Sequence, residues 1–491
     1  MTATDRQRVR LQAIELIDTE ADKCKAAAES AGLSADVVNE SFFDWASRDD
    51  STFDAVIGNP PYVRYQFVCG RDRALAERLV SALGIVLHGV SNLWIPFAML
   101  SVARLREGGC FSLVLPSELF CTSSGGQFRA YLVENFTSLE VDLFPRGTFP
   151  DILQDVVVIS GRRAARSATA RPVRFTEHTS DRQVVWSHRV TNSGDSWLRY
   201  LISEQEYSAF VEARSLPSFH SLGTLARIEV AIVTGANAFF TVPEATIKEY
   251  ELRQWAIPML AKTSDAPGVI FTKQDHAEAC VGGSRTWLLD FSEARPEPNG
   301  SDRVSEYLAL GVAQGLPERY KCRIREPWYR VPHIKRGTLM MTKRAHHYHR
   351  LLLNSAAAYT TDTIYRGDMR PLFAGREADL VAAFQNTMTL LSSEIEGRTY
   401  GGGVLELVPS EVAKLSVPLA PTGDLLSQVD AISRRVNGQK DPTHSVMHLV
   451  DDFLSRTIAG YSRLLPLLES AKRRLYAKRH DLGDPDNEQG D

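Results

Sequence analysis

The segment Asn59-Pro60-Pro61-Tyr62 combines residue types that can act on a planar nitrogen. An Asn side-chain oxygen and a carbonyl held by proline are two acceptors that can take both hydrogens of an amino group, which favours a pyramidal nitrogen and stabilises developing positive charge. The two prolines fix φ and keep the preceding residues out of the helical conformation, so the loop is stiff. The Tyr62 ring can stack on a base removed from its helix.

The residues before this segment predict a buried strand. FDAVIGN (53–59) is an apolar run of strand length, and sites in parallel sheets lie at the carboxyl ends of the strands. The alternative is an ordinary loop, since Asn and Pro both favour turns. The position directly after the strand favours a functional site.

Short apolar runs alternate with helical patterns up to about residue 160, which is typical of a parallel sheet covered by helices. We therefore predict an α/β fold here, with a helix over 18–32 that ends at a glycine. The predicted strands are 9–17, 53–59, 110–116 and 155–161.

The rest of the chain suggests further parts. We predict a catalytic domain over 1–161, a connecting region over 162–215 and a mixed α+β domain over 216–420. Apolar residues at helical spacing predict two packed helices within 421–480, and the polar residues 481–491 predict a disordered tail.

Composition places the protein among ordinary globular chains. The 491 residues allow two or three domains, and the net charge of -4 predicts no polyanion partner by itself. The six cysteines form no C-x-x-C pair and are expected to be reduced core thiols. No apolar run approaches 18 residues and the amino terminus is polar, so we expect a cytoplasmic protein without a membrane segment.

With this loop on this strand, the chain resembles the class I S-adenosylmethionine-dependent methyltransferases of the adenine-N6 DNA type, in the order with the target-recognition domain last. SNLWIPFAMLSVARLREGGCFSLVLPSELF also resembles the family's helix, glycine turn and strand that support the pocket. The resemblance implies a Rossmann-like sheet and methyl transfer to an adenine flipped from double-stranded DNA. The catalytic segment is then Asn59, Pro60, Pro61 and Tyr62, with the Asn59 side chain and the Pro60 carbonyl as acceptors.

The resemblance also implies residues that bind the cofactor S-adenosylmethionine. Glu15, in LQAIELID, fits the acidic residue that binds the ribose hydroxyls, with Asp18 as the alternative. Asp44 fits the position that contacts the adenine amino group, and Asn59 lies beside the cofactor.

One expected feature of that family is missing. Its glycine-rich cofactor loop follows a central strand upstream of the ribose-binding acid, yet the only glycine before Gly58 is Gly32. Without that strand the sheet is N-terminally incomplete and has two unpaired edges. Three explanations stay open: a truncated start, a separate polypeptide that supplies the strand and loop, or a non-catalytic DNA-binding relative that has lost cofactor binding.

The second wall of the base pocket is less well defined. The family has an aromatic residue near the end of a later strand, where this chain has Gly161. Phe149, just before that strand, is the weaker candidate.

Residues 318–350 hold ten Lys or Arg against two Glu, with aromatic residues interleaved. Such a stretch can bind phosphates and touch bases, although a charge run is also typical of a solvated face. The neighbouring histidines lack a carboxylate or Cys at ligand spacing, so no metal site is expected. We predict DNA contacts from Arg323, Arg325, Trp328, Lys335, Arg336, Lys343 and Arg344.

Two other functions remain open at this point. Related N-P-P-Y loops act on RNA and on protein glutamine, although such enzymes usually carry smaller accessory domains than the roughly 200 residues that follow here. No nuclease signature is evident in the sequence, so a restriction activity would need a separate partner.

Overall fold

The computed structural model describes residues 9–88, 92–145, 148, 156–164, 172–178, 183–190, 195–293, 302–438 and 443–480. The chain divides into two compact units, Met1–Trp197 and Leu198–Asp491. The division lies within the predicted connecting region 162–215.

The first unit is a set of short helices and a sheet of longer strands. Its strands are β1 (Arg10–Glu15), β2 (Ser34–Asn39), β3 (Phe53–Gly58), β4 (Leu105–Pro116), β5 (Phe136–Leu143), β6 (Val156–Arg163), β7 (Val173–His178) and β8 (Gln183–His188). Its helices are α1 (Asp18–Ser30), α2 (Phe42–Ala46), α3 (Gly70–Ser81), α4 (Trp94–Ala103) and α5 (Ser123–Asn135).

Six strands form one sheet in the order β3-β4-β6-β5-β7-β8. Strands β3 and β4 are parallel, as are β5 and β7, whereas β6 is antiparallel to both of its neighbours. The sheet is therefore mixed, and the expectation of a parallel sheet was wrong for its second half. Strands β7 and β8 extend this sheet. The sequence of this region predicts only strand fragments.

Strands β1 and β2 form a separate parallel pair, with Glu15 opposite Asn39 at its carboxyl end. The connection from β2 to β3 runs through α2, whose aromatic side chains pack on α4. The ring of Phe42 stacks on Phe97 at 4.0 Å between centroids, and Phe43 meets the same ring edge-on at 6.1 Å. These two contacts pack α2 against α4.

The second unit mixes short strands with helices, as predicted for 216–420. Its strands are β9 (Phe219–Ser221), β10 (Ala226–Glu229), β11 (Thr241–Val242), β12 (Ala256–Leu260), β13 (Ile270–Phe271), β14 (Trp287–Leu289), β15 (Leu339–Thr342), β16 (Arg344–Ala345), β17 (Leu351–Asn354), β18 (Tyr359–Thr360), β19 (Ile364–Met369), β20 (Arg398–Tyr400), β21 (Val404–Glu406) and β22 (Ser416–Pro418). They form small sheets, the largest in the order β10-β19-β15-β17-β13.

The helices of this unit surround those sheets. They are α6 (Glu204–Arg214), α7 (Leu222–Leu225), α8 (Asn237–Phe240), α9 (Glu244–Glu249), α10 (Lys273–Val281), α11 (Arg303–Ala313), α12 (Tyr320–Arg323), α13 (Glu377–Ala383), α14 (Thr387–Glu396), α15 (Pro409–Val412), α16 (Leu425–Val436), α17 (Thr443–Thr457) and α18 (Tyr461–His480). Three helices thus occupy 421–480 where two were expected.

The carboxyl-terminal helix α18 packs on α14 and α6 within this unit. Near its end the buried Arg479 pairs with Glu394 at 2.8 Å and donates to the carbonyls of His346 and His347 at 2.6 and 2.7 Å. These bonds join the last turn of α18 to two distant segments of the unit.

The structure bears on two expectations from the sequence, one about the cysteines and one about membrane segments. Of the cysteines, only Cys322 is buried and three are exposed, so the prediction of core thiols was wrong for most of them. Within the described part of the chain, no helix combines the length and apolar character needed to cross a membrane. The predicted tail at 481–491 lies outside the described residues.

Candidate active site

The Asn-Pro-Pro-Tyr segment begins directly after β3, at the carboxyl end of the parallel pair β3 and β4. Gly58 lies opposite Leu113, so the segment leaves the sheet beside the last residues of β4. Asn59 is exposed and Pro60 is buried. The Asn59 side chain is therefore presented to solvent from a loop whose next residue is packed.

Tyr62 is fixed to the neighbouring strand. Its hydroxyl donates to the carbonyl of Val114 in β4 at 2.9 Å. Burial of the half-exposed side chain raises the pKa of Tyr62 to about 12, so the hydroxyl stays a neutral donor. The ring thus has one orientation set by β4 before any ligand arrives.

The residues after the motif are held by α3 and by the start of α4. The guanidinium of Arg73 donates to the carbonyl of Tyr65 at 3.0 Å and lies over its ring, 5.3 Å from the centroid. The Leu93 amide donates to the carbonyl of Val63 at 2.8 Å. The loop that carries Tyr62 is therefore anchored on both sides.

Glu15 is the last residue of β1 and is partly exposed. One carboxylate oxygen accepts the Ile17 amide at 2.9 Å, while its backbone carbonyl accepts from the Asn39 side chain at 2.9 Å. Asp18, the alternative, is exposed and opens α1, where a carboxylate faces the positive end of the helix dipole. Glu15 has the geometry of a strand-end acceptor, and Asp18 has that of a helix-terminal residue.

Asp44 lies on α2 rather than at a strand end. Its carboxylate pairs with Arg71 of α3 at 2.6 Å, and its side chain is 22% exposed. Arg71 itself is largely exposed, so the pair lies at the surface between α2 and α3.

These candidates come together only in part. Asn59 and Tyr62 share the β3 and β4 edge, whereas Glu15 ends a strand that belongs to the other sheet. No strand among the described residues joins β1 to β3. A carboxylate at a strand end can accept the hydrogen bonds of a diol, but among the described residues no glycine-rich turn follows β1.

The candidates for the second wall of the base pocket have different outcomes. Gly161 lies opposite Phe111, away from the edge that carries the motif, because β6 is antiparallel and only its first residues reach that edge. A Cβ at Gly161 would come within 2.6 Å of the Phe111 ring, so this glycine serves packing. Phe149 lies outside the described residues.

An aromatic side chain that the sequence analysis missed does lie at the motif's edge of the sheet. Phe144 directly follows β5 and stacks on His178 of β7, with centroids 4.8 Å apart. His178 is held by Asp142 at 2.7 Å. The signal was an aromatic residue at the end of EVDLF, but β5 was not predicted as a strand.

The basic stretch 318–350 divides into packed and exposed side chains. The guanidinium of Arg325 donates to the carbonyls of Thr234 and Val233 at 2.7 and 2.9 Å, and partial burial lowers its pKa. Trp328 packs on Phe239 at 5.7 Å between centroids and belongs to the hydrophobic core of the unit. Both residues thus have structural contacts that composition does not reveal.

The remaining predicted DNA-contacting residues lie nearer the surface. Arg344 pairs with Glu406, and the Lys343 ammonium lies 3.8 Å from the same carboxylate. Arg323, Lys335 and Arg336 are exposed. Within the described residues, no group of three or more His, Cys, Asp or Glu side chains is placed to hold a metal ion.

Two family models match the chain in the order of its two units. The model of the Eco57I restriction-modification methylase matches residues 3–149. The model of the C-terminal domain of the type II methyltransferase M.Eco57I matches residues 194–455, which is more than half of the chain. The chain belongs to the Eco57I family of restriction-modification methyltransferases.

Individual members are more distant. The chain is similar to the type II methyltransferase M.AccI of Acinetobacter calcoaceticus, at 23% identity over 76% of this chain and 69% of that protein. It is also similar to M.XamI of Xanthomonas campestris pv. amaranthicola, at 23% identity over 74% and 67% of the two chains. The solved structure of the type IIL restriction-modification enzyme MmeI aligns with a TM-score of 0.49 and 10% identity, over 95% of this chain and 63% of that chain.

Membership in the Eco57I family agrees with the architecture of the chain. The gap between the two family matches, 150–193, contains β6, β7 and β8 of the first unit. The predicted fold class, an α/β sheet followed by a mixed α+β domain and helices, is confirmed.

Proposed function

We propose that this member of the Eco57I family transfers a methyl group from S-adenosylmethionine to N6 of an adenine flipped out of double-stranded DNA. The observation that carries the proposal is the loop from Asn59 to Tyr62. It leaves the carboxyl end of β3 and is fixed to β4 by the bond from Tyr62 to Val114. The stiff loop presents an exposed amide side chain next to an oriented aromatic ring.

The residues of this loop have separate tasks. The Asn59 side-chain oxygen and the Pro60 carbonyl accept the two hydrogens of the adenine amino group, so its lone pair is directed at the incoming methyl group. The Tyr62 ring stacks on the face of the flipped base and holds it in the pocket. As the bond from nitrogen to the methyl group forms, the methyl–sulfur bond of the sulfonium breaks and leaves a neutral thioether, and the extra proton on nitrogen is lost to solvent.

The cofactor, when bound, supplies an electrophilic methyl group on sulfonium. Glu15 would accept hydrogen bonds from the ribose hydroxyls, and Asp44 would accept one from the adenine amino group of the cofactor. In the described geometry one Glu15 oxygen accepts the Ile17 amide, and Asp44 pairs with Arg71. Asn59 would lie between the cofactor and the substrate.

DNA contact is proposed for the exposed part of the basic stretch. Arg323, Lys335 and Arg336 are exposed and can approach phosphates without breaking a packed contact. Lys343 and Arg344 share one acidic partner, Glu406. This carboxylate would partly neutralise the positive charge that the two side chains present to DNA. Arg325 and Trp328 would act indirectly, by shaping the surface that carries the others.

A second candidate function is a DNA-binding protein without methyl transfer. It is favoured by one observation, the lack of a glycine turn beside β1 and β3 among the described residues. It predicts DNA affinity without cofactor affinity, which titration calorimetry with S-adenosylmethionine measures directly.

The product identifies the reaction. The enzyme purified from its source cells is incubated with duplex DNA and methyl-labelled cofactor, and the DNA is digested to nucleosides for mass spectrometry. The proposal expects label in N6-methyl-2′-deoxyadenosine only. Label in methylated cytosine, in added RNA or in glutamine of added protein would replace DNA adenine as the substrate.

A further inference from the structure

A one-turn helix of the second unit, α12, exposes two large apolar side chains. Tyr320 is 65% exposed and Ile324 is 64% exposed, and they lie four positions apart across the turn, as neighbours on a helix surface do. Cys322, between them in sequence, is completely buried. The two exposed side chains therefore lie on the outer side of the turn and face solvent.

Three cations alternate with these side chains along the chain. Arg319, Lys321 and Arg323 are exposed, and among the described residues none of the three forms an ion pair. The Lys321 ammonium lies 5.7 Å from the centroid of the Tyr320 ring. The segment 319–324 contains no Asp or Glu, so it combines an apolar centre with three unpaired positive charges.

The turn is fixed to the hydrophobic core of its unit. Cys322 belongs to that core, and Trp328 packs against it. Just after the turn, the guanidinium of Arg325 donates to the carbonyls of Thr234 and Val233 at 2.7 and 2.9 Å. The exposed side chains therefore project from a backbone that is held in place.

The loop that accepts these bonds also lies directly against the turn. Gly235 has a φ of +78°, and a Cβ built at this glycine would come within 2.7 Å of the Lys321 Cβ. A glycine permits both the positive φ and the close approach. The packing of this loop on α12 is thus a second support for the turn.

Other exposed apolar side chains of the unit have different surroundings. Leu372 is 86% exposed, but the Arg370 guanidinium donates to the Gly223 carbonyl at 2.6 Å, and Arg376 pairs with Asp379. The neighbouring cations are thus already bound within the protein. Single exposed apolar side chains are common on protein surfaces, so the unpaired cations are what distinguish α12 from this position.

An apolar centre between unpaired cations fits double-stranded DNA. Proteins that kink DNA insert apolar side chains between two base pairs, which partly unstacks the step. Cations beside such side chains can bind the phosphates, and an aromatic ring can stack on any base. Insertion also needs a firm support, because the side chains must push two base pairs apart. The core contacts of α12 provide that support.

We propose that Tyr320 and Ile324 form an apolar wedge that enters between two base pairs of duplex DNA. The cations Arg319, Lys321 and Arg323 would then bind the phosphates on either side. The inference rests on the proposed function in one respect, that duplex DNA is the substrate. Because pyrimidine–purine steps are the most easily kinked, the wedge would favour sites with such a step where it enters, without a polar contact to those bases.

DNA bending and affinity test the wedge in the parent enzyme and its variants. A duplex is selected from a randomised pool by its affinity for the parent enzyme and is labelled at its two ends with a fluorescent donor and acceptor. Energy transfer measures the bend, and fluorescence anisotropy over a salt series measures the affinity and its salt slope. The variants are Tyr320→Ala/Ile324→Ala, Tyr320→Phe and, as an exposed control, Leu372→Ala.

We expect the double variant to bind the duplex about 10-fold more weakly, since a stacking contact is lost. It should lose most of the bend and keep the salt slope of the parent enzyme, because no phosphate contact is removed. Tyr320→Phe and Leu372→Ala should match the parent enzyme in bend, affinity and slope. All three variants should keep the urea midpoint of the parent enzyme, because the replaced side chains are exposed.

Four results would overturn the wedge. The parent enzyme may leave the duplex straight, or the double variant may equal the parent enzyme in bend and affinity. The loss in the double variant may come with a lower salt slope or a lower urea midpoint, which would assign it to charge or to folding. Finally, Tyr320→Phe may lose as much as the double variant, which would assign the contact to the hydroxyl group.

The outcome is separable from that of the proposed reaction. Bending that depends on Tyr320 and Ile324, without methylation of adenine by the parent enzyme, would refute the reaction and keep the wedge. Methylation of adenine together with an unchanged bend and affinity in the double variant would keep the reaction and refute the wedge. A parent enzyme that binds no duplex DNA would refute both.

Discussion

The Tyr62 hydroxyl donates to the Val114 carbonyl at 2.9 Å, which joins the Asn-Pro-Pro-Tyr loop to the strand beside it. The bond is made by the hydroxyl at the edge of the ring and does not use either face of the ring. Because Arg73 and Leu93 hold the next residues of the loop, the ring is oriented without a ligand. In the proposed mechanism, the base would therefore stack on a ring that is already oriented.

Substitutions at Tyr62 separate the ring from its hydroxyl. We expect Tyr62→Phe to keep kcat/KM within about 10-fold, because one hydrogen bond contributes about 0.5–1.5 kcal/mol. Tyr62→Ala removes the stacking surface, worth about 1–3 kcal/mol per base, and should lower kcat/KM by up to about 100-fold. Equal losses in the two variants, measured by steady-state methylation, would refute a stacking role.

Two arginines two residues apart should differ in what they support. Arg323→Ala is expected to weaken DNA binding and to lower the slope of log K against log salt by about 1, since one phosphate contact is lost. Arg325→Ala removes two bonds to the carbonyls of Val233 and Thr234 and should lower the free energy of unfolding by about 2 kcal/mol.

Fluorescence anisotropy across a salt series and urea unfolding measure the two effects. The account fails if Arg323→Ala destabilises the fold as much as Arg325→Ala does, or if neither changes the salt slope.

The stability of the second unit should fall in mild acid through His349. This side chain is fully buried, its Nε2–H donates to the Lys343 carbonyl at 3.2 Å, and burial lowers its pKa to about 4. The unfolded chain, with a histidine pKa of about 6.5, binds the proton more readily. The stabilisation is therefore complete above pH 6.5 and is lost as the pH falls towards 4, by up to about 3 kcal/mol.

His349→Gln keeps a donor for the Lys343 carbonyl and removes the titration. Urea unfolding of this variant from pH 7 to pH 4 should show a shallower loss of stability than the parent chain. An identical slope in the His349→Gln variant and the parent would contradict this assignment.

The buried ion pair of α18 should outweigh a surface pair on the same helix. The side chains of Arg479 and Glu394 are 2% and 3% exposed, so Arg479→Ala leaves a buried carboxylate without its partner and should cost about 3–5 kcal/mol. Arg463→Ala breaks an exposed pair with Glu212 and should cost less than about 1 kcal/mol. Thermal unfolding of the two variants compares them, and similar shifts in Tm would be inconsistent with burial as the cause.

The position of the Asn-Pro-Pro-Tyr loop after β3 was predictable because its signals are local. An apolar run, two prolines and an aromatic residue lie within ten positions, and their placement after β3 needs no distant contact. The direction of β6 was not predictable, because pairing depends on residues far apart in sequence, and Gly161 was therefore placed at the wrong end.

The basic stretch shows a different limit. Composition identifies an excess of positive charge but not which side chains turn inward. Arg325 binds carbonyls and Trp328 packs on Phe239, whereas Arg323 stays exposed. The difference between Arg325 and Arg323 depends on the loop at Val233 and Thr234, because the carbonyls of this loop accept hydrogen bonds from Arg325.

The central claim is that Asn59 makes the adenine amino group reactive. The direct measurement is transfer of labelled methyl groups from S-adenosylmethionine to duplex DNA by the parent enzyme and by its Asn59→Ala variant, with Asn437→Ala as an exposed control. We predict that Asn59→Ala lowers the rate by about 100-fold or more, with DNA affinity unchanged and the control at the parent rate. Equal labelling by the parent enzyme and the Asn59→Ala variant would contradict the account.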